Sequence, residues 1–386
     1  MKVCVSVHGR FHAFELAREL DQNGYLAALL TTYPKTRVGV PNTVSVPWLE
    51  VWRRLAQTMP VQQPRTQLRI ARAFGRFASA NLPVDADILV GWSGATLEAI
   101  PVARDRGMRV VIERGSSHIR HQSEVLTEAF ARHGIAFTDT PAEMIERECV
   151  EYEAADAISV PSDFAAQTFI EQGVSKSKLM INPYGVDLSQ FSPPEQSPEN
   201  SVPRILFVGG VGIRKGVPEL LSAFQPFVGR AELHLVGPVE PSIRPLLSLG
   251  PGEGVFVRGP LSRQSVAEEC RRADIFCLPS WEEGFPLALL QAMASELPVI
   301  ASDATGAADI ITDGVDGVVI TAGDDGRLET CLSELIEDRA RRLEMGAAAR
   351  LRVNSGWDWG SYGKRAIRHY KGLLSEPVIV PTGEIE

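Results

Sequence analysis

The stretch LPSWEEGFPLALLQAMA, Leu278 to Ala294, begins where an apolar run, Ile275 to Leu278, stops at Pro279. A short apolar run closed by proline predicts a strand, and Ser280 to Gly284 predicts a turn. Beyond the turn, Leu287, Leu290 and Met293 recur at helical spacing. Pro286 suits the first turn of that helix, where a missing N–H has no intrahelical partner to lose. Glu282, Glu283 and Gly284 are thereby placed at the carboxyl end of a strand and against a helix N-terminus. Ligands of open α/β sheets bind at that end, and a helix N-terminus attracts anions. An acidic surface turn leading into an ordinary amphipathic helix has the same pattern, so the residues alone leave both readings open.

The stretch resembles the E-x7-E motif of the family-4 retaining glycosyltransferases, nucleotide-sugar enzymes of the GT-B fold. Glu283-Gly284-Phe285-Pro286-Leu287, Gln291-Ala292-Met293-Ala294 and Leu297-Pro298-Val299-Ile300-Ala301-Ser302 follow its blocks in order. The chain departs from the pattern at Gln291, where the family has its second Glu, and at Leu297, where it has Gly. A Gln keeps donor and acceptor capacity without the charge. The likeness extends to Asn182-Pro183-Tyr184-Gly185-Val186-Asp187 with Phe191, and to Thr305-Gly306-Ala307 with Asp309. It is weaker ahead of Val110.

The resemblance implies an α/β protein of GT-B type, two Rossmann-like doubly wound domains facing a central cleft. Residues 1–188 are the expected acceptor-side domain, 189–203 a linker, 204–356 the nucleotide-sugar domain and 357–386 a closing helix returning to the first domain. Strand, glycine turn and helix recur from Val3 and from Ile205, which supports two such units without the family. The Pro, Ser, Gln and Glu content of Ser189–Pro203 independently marks a linker.

Gly209 to Pro218, GGVGIRKGVP, is a glycine-rich turn between an apolar strand and a helix. Glycines let the backbone approach a phosphate and Lys215 supplies a point charge; a tight turn is the plain alternative. Where the family has an Arg in this turn the chain has Gly210, and Arg214 beside Lys215 is the expected partial replacement. By the resemblance, donor contacts come from Gly210, Arg214, Arg258, Gly284, Phe285, Pro286, Leu287 and Gln291, with Gln291 on the ribose. Lys215, Glu283 and His118 are the catalytic candidates, Glu283 holding the donor sugar. His118 follows the strand Val110–Ile112; a structural hydrogen bonder fits the residues equally, and the family places a donor-facing His at this point. His8, Gly9 and Arg10, after the strand Lys2–Val7, and Trp92, after Ile88–Val90, are the acceptor candidates. The expected reaction moves a sugar with retention from a nucleoside diphosphate sugar to a saccharide or lipid-linked saccharide, in bacterial polysaccharide or glycolipid assembly. No cofactor and no metal are expected. Asp85-Ala86-Asp87 precedes an apolar strand, as do Asp156 and Asp274, so this D-x-D reads as a strand opening.

The 386 residues are 44% hydrophobic and 23% charged, enough for two ordinary cores. A net charge of −9 argues against nucleic-acid binding. The N-terminus has no signal-peptide pattern and no run is long enough to span a bilayer, so a cytoplasmic protein is expected. Five cysteines without a C-x-x-C read as reduced thiols. Against the acidic total, Arg53, Arg54, Arg65, Arg69, Arg72 and Arg76 stand in a segment without a carboxylate from Val51 to Val84. A solvated basic face is the plain reading, and transient docking on the inner face of an anionic membrane is the functional one. Two rivals to an active transferase remain: a nucleotide-sugar binder that has lost catalysis, suggested by Gln291 and Gly210, and a Rossmann oxidoreductase with Glu232 as its ribose acid.

Overall fold

The computed structural model describes residues 1–57, 63–137, 140–196, 200–248 and 253–375. Parts of the arginine-rich segment (58–62), of the linker (197–199) and of the closing segment (376–386) lie outside them.

β1 (Val3–Val7), β2 (Leu26–Thr31), β3 (Thr43–Ser45), β4 (Ile88–Trp92), β5 (Arg109–Glu113), β6 (Ala157–Val160) and β7 (Leu179–Ile181) form one sheet in the order β3-β2-β1-β4-β5-β6-β7. β8 (Arg204–Val208), β9 (Glu232–Val236), β10 (Val255–Gly259), β11 (Ile275–Leu278), β12 (Val299–Ser302) and β13 (Val318–Ile320) form a second, ordered β10-β9-β8-β11-β12-β13. The paired strands of both sheets run parallel. The central strands VCVSV, IFCL and VIAS are buried along their whole length. Continuous burial is what helices on both faces of a parallel sheet demand. Strand order reverses between β1 and β4 and between β8 and β11, so each sheet offers a ligand crevice at the carboxyl ends of those strands.

Three aspartates open strands in the same way. Asp87 Oδ2 accepts the Lys2 N–H at 2.6 Å, Asp156 Oδ2 the Val110 N–H at 2.7 Å, and Asp274 Oδ2 the Arg204 N–H at 2.9 Å. Each carboxylate pins the start of a neighbouring strand, which accounts for Asp87 in the D-x-D. Among the described residues no group of three or more His, Cys, Asp or Glu is placed to hold a metal ion. No described helix is long and apolar enough to cross a membrane.

The helix Trp359–Ser375 lies on the first domain. At Gly363 an added Cβ would stand 2.5 Å from Glu19 Cβ, so this helix touches Ala13–Gln22 there. Arg365 donates to Asn182 Oδ1 and to the Pro183 carbonyl, and fully buried Tyr362 packs edge-on to Tyr184.

Candidate active site in the interdomain cleft

β11 carries the chain to the cleft, where the turn after Leu278 meets the turn after β8. Gly216 has φ +68°, and a Cβ there would stand 2.0 Å from the Pro279 carbonyl oxygen, so only glycine permits this approach. The contact brings Lys215 Nζ against Glu283 Oε1. Burial, reinforced by Arg214, pulls the Lys215 ammonium down to about 7, while Glu282 and Glu240 oppose the shift. Contact with the Glu283 carboxylate also favours the charged amine. The helix Leu287–Ala294 begins just beyond, with Pro286 at its N-cap. Its first N–H groups have no intrahelical partners. A lysine cation, a carboxylate and a helix N-terminus therefore converge at one place, an arrangement able to hold phosphates and sugar hydroxyls.

The first domain closes the other side. Gly284 lies so near Gly115 that a Cβ would stand 2.3 Å from its carbonyl oxygen, and Ser162 Oγ donates to the Gly284 carbonyl at 2.6 Å. Glu282 is fully buried and reaches across: its Oε1 accepts from Ser116 Oγ, Ser117 Oγ and the Ser117 N–H, and its Oε2 from Gln122. Arg214 pairs with Oε2 at 2.9 Å. Burial alone would push this carboxyl up; Arg214 and the Gln122, Ser117 and Ser116 donors outweigh it and hold the group down at about 2. Asp309 Oδ2 accepts the Asp163 N–H at 2.6 Å, a further tie between the domains at the helix Asp163–Glu171.

Between the domains lies a cavity of about 490 Å³ whose walls include His12, Trp92, Tyr184, Arg214, Glu283 and Leu287. A second, of about 350 Å³, opens in the first domain toward Arg53, Gln67, Met144 and Glu148. Both share His8, Ser93, Arg114 and Gln122. His8 is pulled down to about 4 by burial and then by Arg53, and its Nε2 has no partner among the described residues. Gly9, in the same turn, accepts from Thr31 Oγ1 at 2.9 Å, while Arg10 is exposed with its guanidinium 5.9 Å from the Phe14 ring.

Several expected residues come together and others do not. Lys215, Glu283, Gly284, Phe285, Leu287 and Arg214 meet at the cleft, with Phe285 stacked on Trp357 at 5.6 Å. Arg214 is spent largely on Glu282 and Ser116, so it supports the loop more than it replaces the Arg missing at Gly210. At Gly210 itself a Cβ would stand 2.9 Å from Glu240 Oε1. Gln291 is half-buried one helical turn beyond Leu287, on the same stripe.

His118 is a correction: its ring is buried against Tyr152 and Phe169, and its Nδ1 accepts the Arg120 N–H as the cap of Ile119–Arg132. Burial, then Arg114, Arg120 and His121, hold it down at about 4. It is a helix cap in the first domain's core and lines neither cavity. Arg258 is another: its guanidinium bonds His234 Nδ1 at 3.2 Å and lies over Phe256, on the face of the sheet. Glu232, the acid an oxidoreductase needs, opens β9 at the amino end of the sheet and bonds His234, opposite the ligand end.

Sequence reading placed Glu282 and Tyr184 in their segments without giving either a role, and missed Gln122, Ser116, Ser117 and the pair His12–Glu113. Glu113 to Ser117 follow β5 directly, so the carboxyl-end rule that drew attention to Glu283 covers them as well. Nothing in the sequence signals Gln122.

Residues 202–338 match the family described as "Glycosyl transferases group 1". The chain superposes on sucrose-phosphate synthase from Thermosynechococcus elongatus with TM-score 0.75 at 19% identity, covering 97% of this chain and 98% of that one. Anabaena HepE in complex with UDP gives TM-score 0.68 at 14% identity, covering 96% and 100%. The fold is GT-B. Among curated proteins, the D-inositol 3-phosphate glycosyltransferase of Xylanimonas cellulosilytica is 29% identical over 228 residues, 53% of this chain and 54% of its own. A GDP-mannose-dependent mannosyltransferase of Corynebacterium glutamicum, named for a monoacylated phosphatidylinositol monomannoside, is 31% identical over 244 residues, 58% of this chain and 65% of its own. The chain spans about half the length of the first curated relatives it matches. The matched family segment covers the GT-B half that carries Lys215, Glu283 and Gln291.

Proposed function

We propose that the protein is a retaining glycosyltransferase that moves a sugar from a nucleoside diphosphate sugar to an acceptor hydroxyl, in bacterial polysaccharide or glycolipid assembly. The observation that carries the reading is the Lys215–Glu283 contact at the N-terminus of the helix Leu287–Ala294, facing the first domain across the cleft. As the diphosphate leaves, negative charge grows on it, and preorganised cations and N–H donors aimed there are usually the largest catalytic contribution. Lys215 and the N–H groups of the Phe285–Leu287 turn fill that role. On binding, the diphosphate takes Lys215 from Glu283 and frees that carboxylate for the sugar hydroxyls. The leaving phosphate itself accepts the acceptor's proton on the retained face, so no protein carboxylate attacks the anomeric carbon. Gln291 meets the ribose, and neither metal nor cofactor takes part.

The acceptor enters from the first domain, where the two joined cavities lie. The exposed arginines Arg65, Arg69, Arg72 and Arg76 form one stripe of the helix Gln63–Asn81. Beside it the helix Pro47–Gln57 exposes Trp48, Val51 and Leu55. Arg53 and Arg54 do not belong to the stripe, since both pair with Glu50 at 2.7 and 2.9 Å. Basic and apolar groups side by side suit reversible docking on anionic lipid, where a lipid-linked acceptor waits.

A thermal-shift screen over UDP-, GDP- and ADP-sugars tests the reading. A stabilised protein with one base and one sugar preferred is the expected result; no response to any of them overturns it.

A further inference from the structure

His12 stands apart from His8 and His118, the other histidines of the β–α turns described above. It occupies the N-cap position of Ala13–Gln22 yet makes no side-chain cap hydrogen bond, whereas His118 caps its own helix. Its ring is held between Tyr184 at 4.1 Å and Trp92 at 5.0 Å, with Tyr362 edge-on at 6.0 Å. Three aromatic neighbours from β4, the Asn182–Asp187 run and the closing helix fix its plane. His12 is 6% exposed and lines the 490 Å³ cavity.

Its Nε2 stands 2.9 Å from Glu113 Oε1, at the end of β5. Glu113 is 1% exposed, and its second oxygen has no partner among the described residues. A carboxylate only accepts hydrogen bonds, so the hydrogen of this contact sits on Nε2, the tautomer that leaves Nδ1 as an acceptor. No described residue donates to Nδ1. The result is an oriented imidazole with its tautomer set from behind and its open nitrogen on the acceptor side of the cleft. Base, orienter and an unfilled third position are the geometric marks of a substrate-contacting histidine.

We propose that His12 Nδ1 accepts a hydrogen bond from an acceptor hydroxyl and holds it in the cleft, with Glu113 as the positioning residue that fixes the tautomer. The proposal rests on the transferase reading above and names a contact within it. No bond is made or broken in this step; the hydroxyl is oriented, and its proton leaves with the diphosphate.

Protein carrying 15N-histidine, loaded with the nucleoside diphosphate from the screen, is titrated with glycerol, myo-inositol and methyl α-D-glucopyranoside. The expected His12 spectrum shows a protonated Nε2 and an unprotonated Nδ1 whose signal moves with at least one polyol. In parallel, probe-stimulated release of nucleoside diphosphate is measured for His12→Phe and His12→Asn. Asn places an acceptor oxygen near the site of Nδ1 and Phe does not, so Phe loses about tenfold or more while Asn keeps a larger share. Nucleotide affinity stays within about twofold in both, since neither touches the donor side. A His12 protonated on Nδ1, a signal unmoved by all three polyols, or a Phe variant with wild-type release overturns the proposal. Loss of nucleotide affinity in both variants assigns the ring a purely structural role and overturns it too. Failure of wild-type protein to bind any nucleotide is a separate result, which removes the transferase reading itself.

Discussion

Glu282 Oε1 lies 2.7 Å from Ser117 Oγ, a carboxylate of the second domain seated in hydroxyl and N–H donors of the first. The domains thus meet through a buried charge that is fully partnered, and the cleft is shaped by that union. Truncating one partner of such a group leaves the rest unpaired, commonly at a cost of about 3–5 kcal/mol. Glu282→Ala should therefore lower the unfolding midpoint and separate the domains, read as a larger radius of gyration in solution scattering. A variant with the wild-type radius would show that other contacts alone set the closed arrangement.

The same carboxyl makes a pH prediction. Its folded value of about 2 lies below the ordinary 4.5, so the unfolded chain takes up its proton first as pH falls. Stability from this group is complete above about 4.5 and is lost between there and about 2; the shift corresponds to roughly 3 kcal/mol. In urea titrations, the gap between wild type and Glu282→Gln should be widest at neutral pH and narrow steadily through that window. A gap independent of pH would mean that Glu282 is not a working anion in the fold.

Gln291 is expected to serve the ribose as a neutral amide. Gln291→Ala should weaken nucleoside diphosphate binding by about 1–3 kcal/mol, and Gln291→Glu should bind as well or better. Calorimetry with the nucleotide alone reads this apart from catalysis. Equal affinities for Ala, Gln and Glu would place the residue off the ribose.

Transfer should survive excess EDTA. Asp87, the second acid of the D-x-D, is committed to the Lys2 N–H, and no described cluster offers three ligands. Loss of activity on chelation with recovery on adding magnesium or manganese contradicts this.

The two parallel sheets were legible because their strands are apolar runs closed by Gly or Pro; β11 falls on the residues the pattern names. The second-domain half of the cleft was readable for a related reason, since Lys215 lies in one short glycine-rich turn and Glu283 and Gly284 in another, each a run of neighbouring residues that carries a motif by itself. The first-domain half was not. His12, Glu113 and Tyr184 come from three separate segments, and only the folded chain brings them within 4.1 Å ring-to-ring or 2.9 Å atom-to-atom contact. His118 misled because a histidine just after a strand end suits a cap and a cleft equally, and the sequence does not say which way the ring turns. Glu282 was placed beside Glu283 but given no role, because adjacent residues in a turn point to different sides, one into the other domain and one into the cleft.

Membrane docking should follow the stripe and not the whole arginine-rich segment. Sedimentation with anionic vesicles should carry the protein down at low salt and release it at 1 M, where the Debye length falls to about 3 Å. Arg69→Glu with Arg72→Glu and Arg76→Glu should abolish binding, and Arg53→Gln, whose partner is Glu50, should change it little. Indifference to anionic and neutral vesicles alike would leave the stripe as a solvated face.

The account's central claim is that Lys215 receives the leaving diphosphate. The direct measurement is the rate of nucleoside diphosphate release from the preferred nucleotide sugar by wild type and by Lys215→Ala, with folding checked by circular dichroism. Loss of a contact that strengthens as the bond breaks should slow release by about 10²–10³, by analogy with oxyanion-hole donors. A folded Lys215→Ala protein that releases the diphosphate at the wild-type rate would contradict the claim.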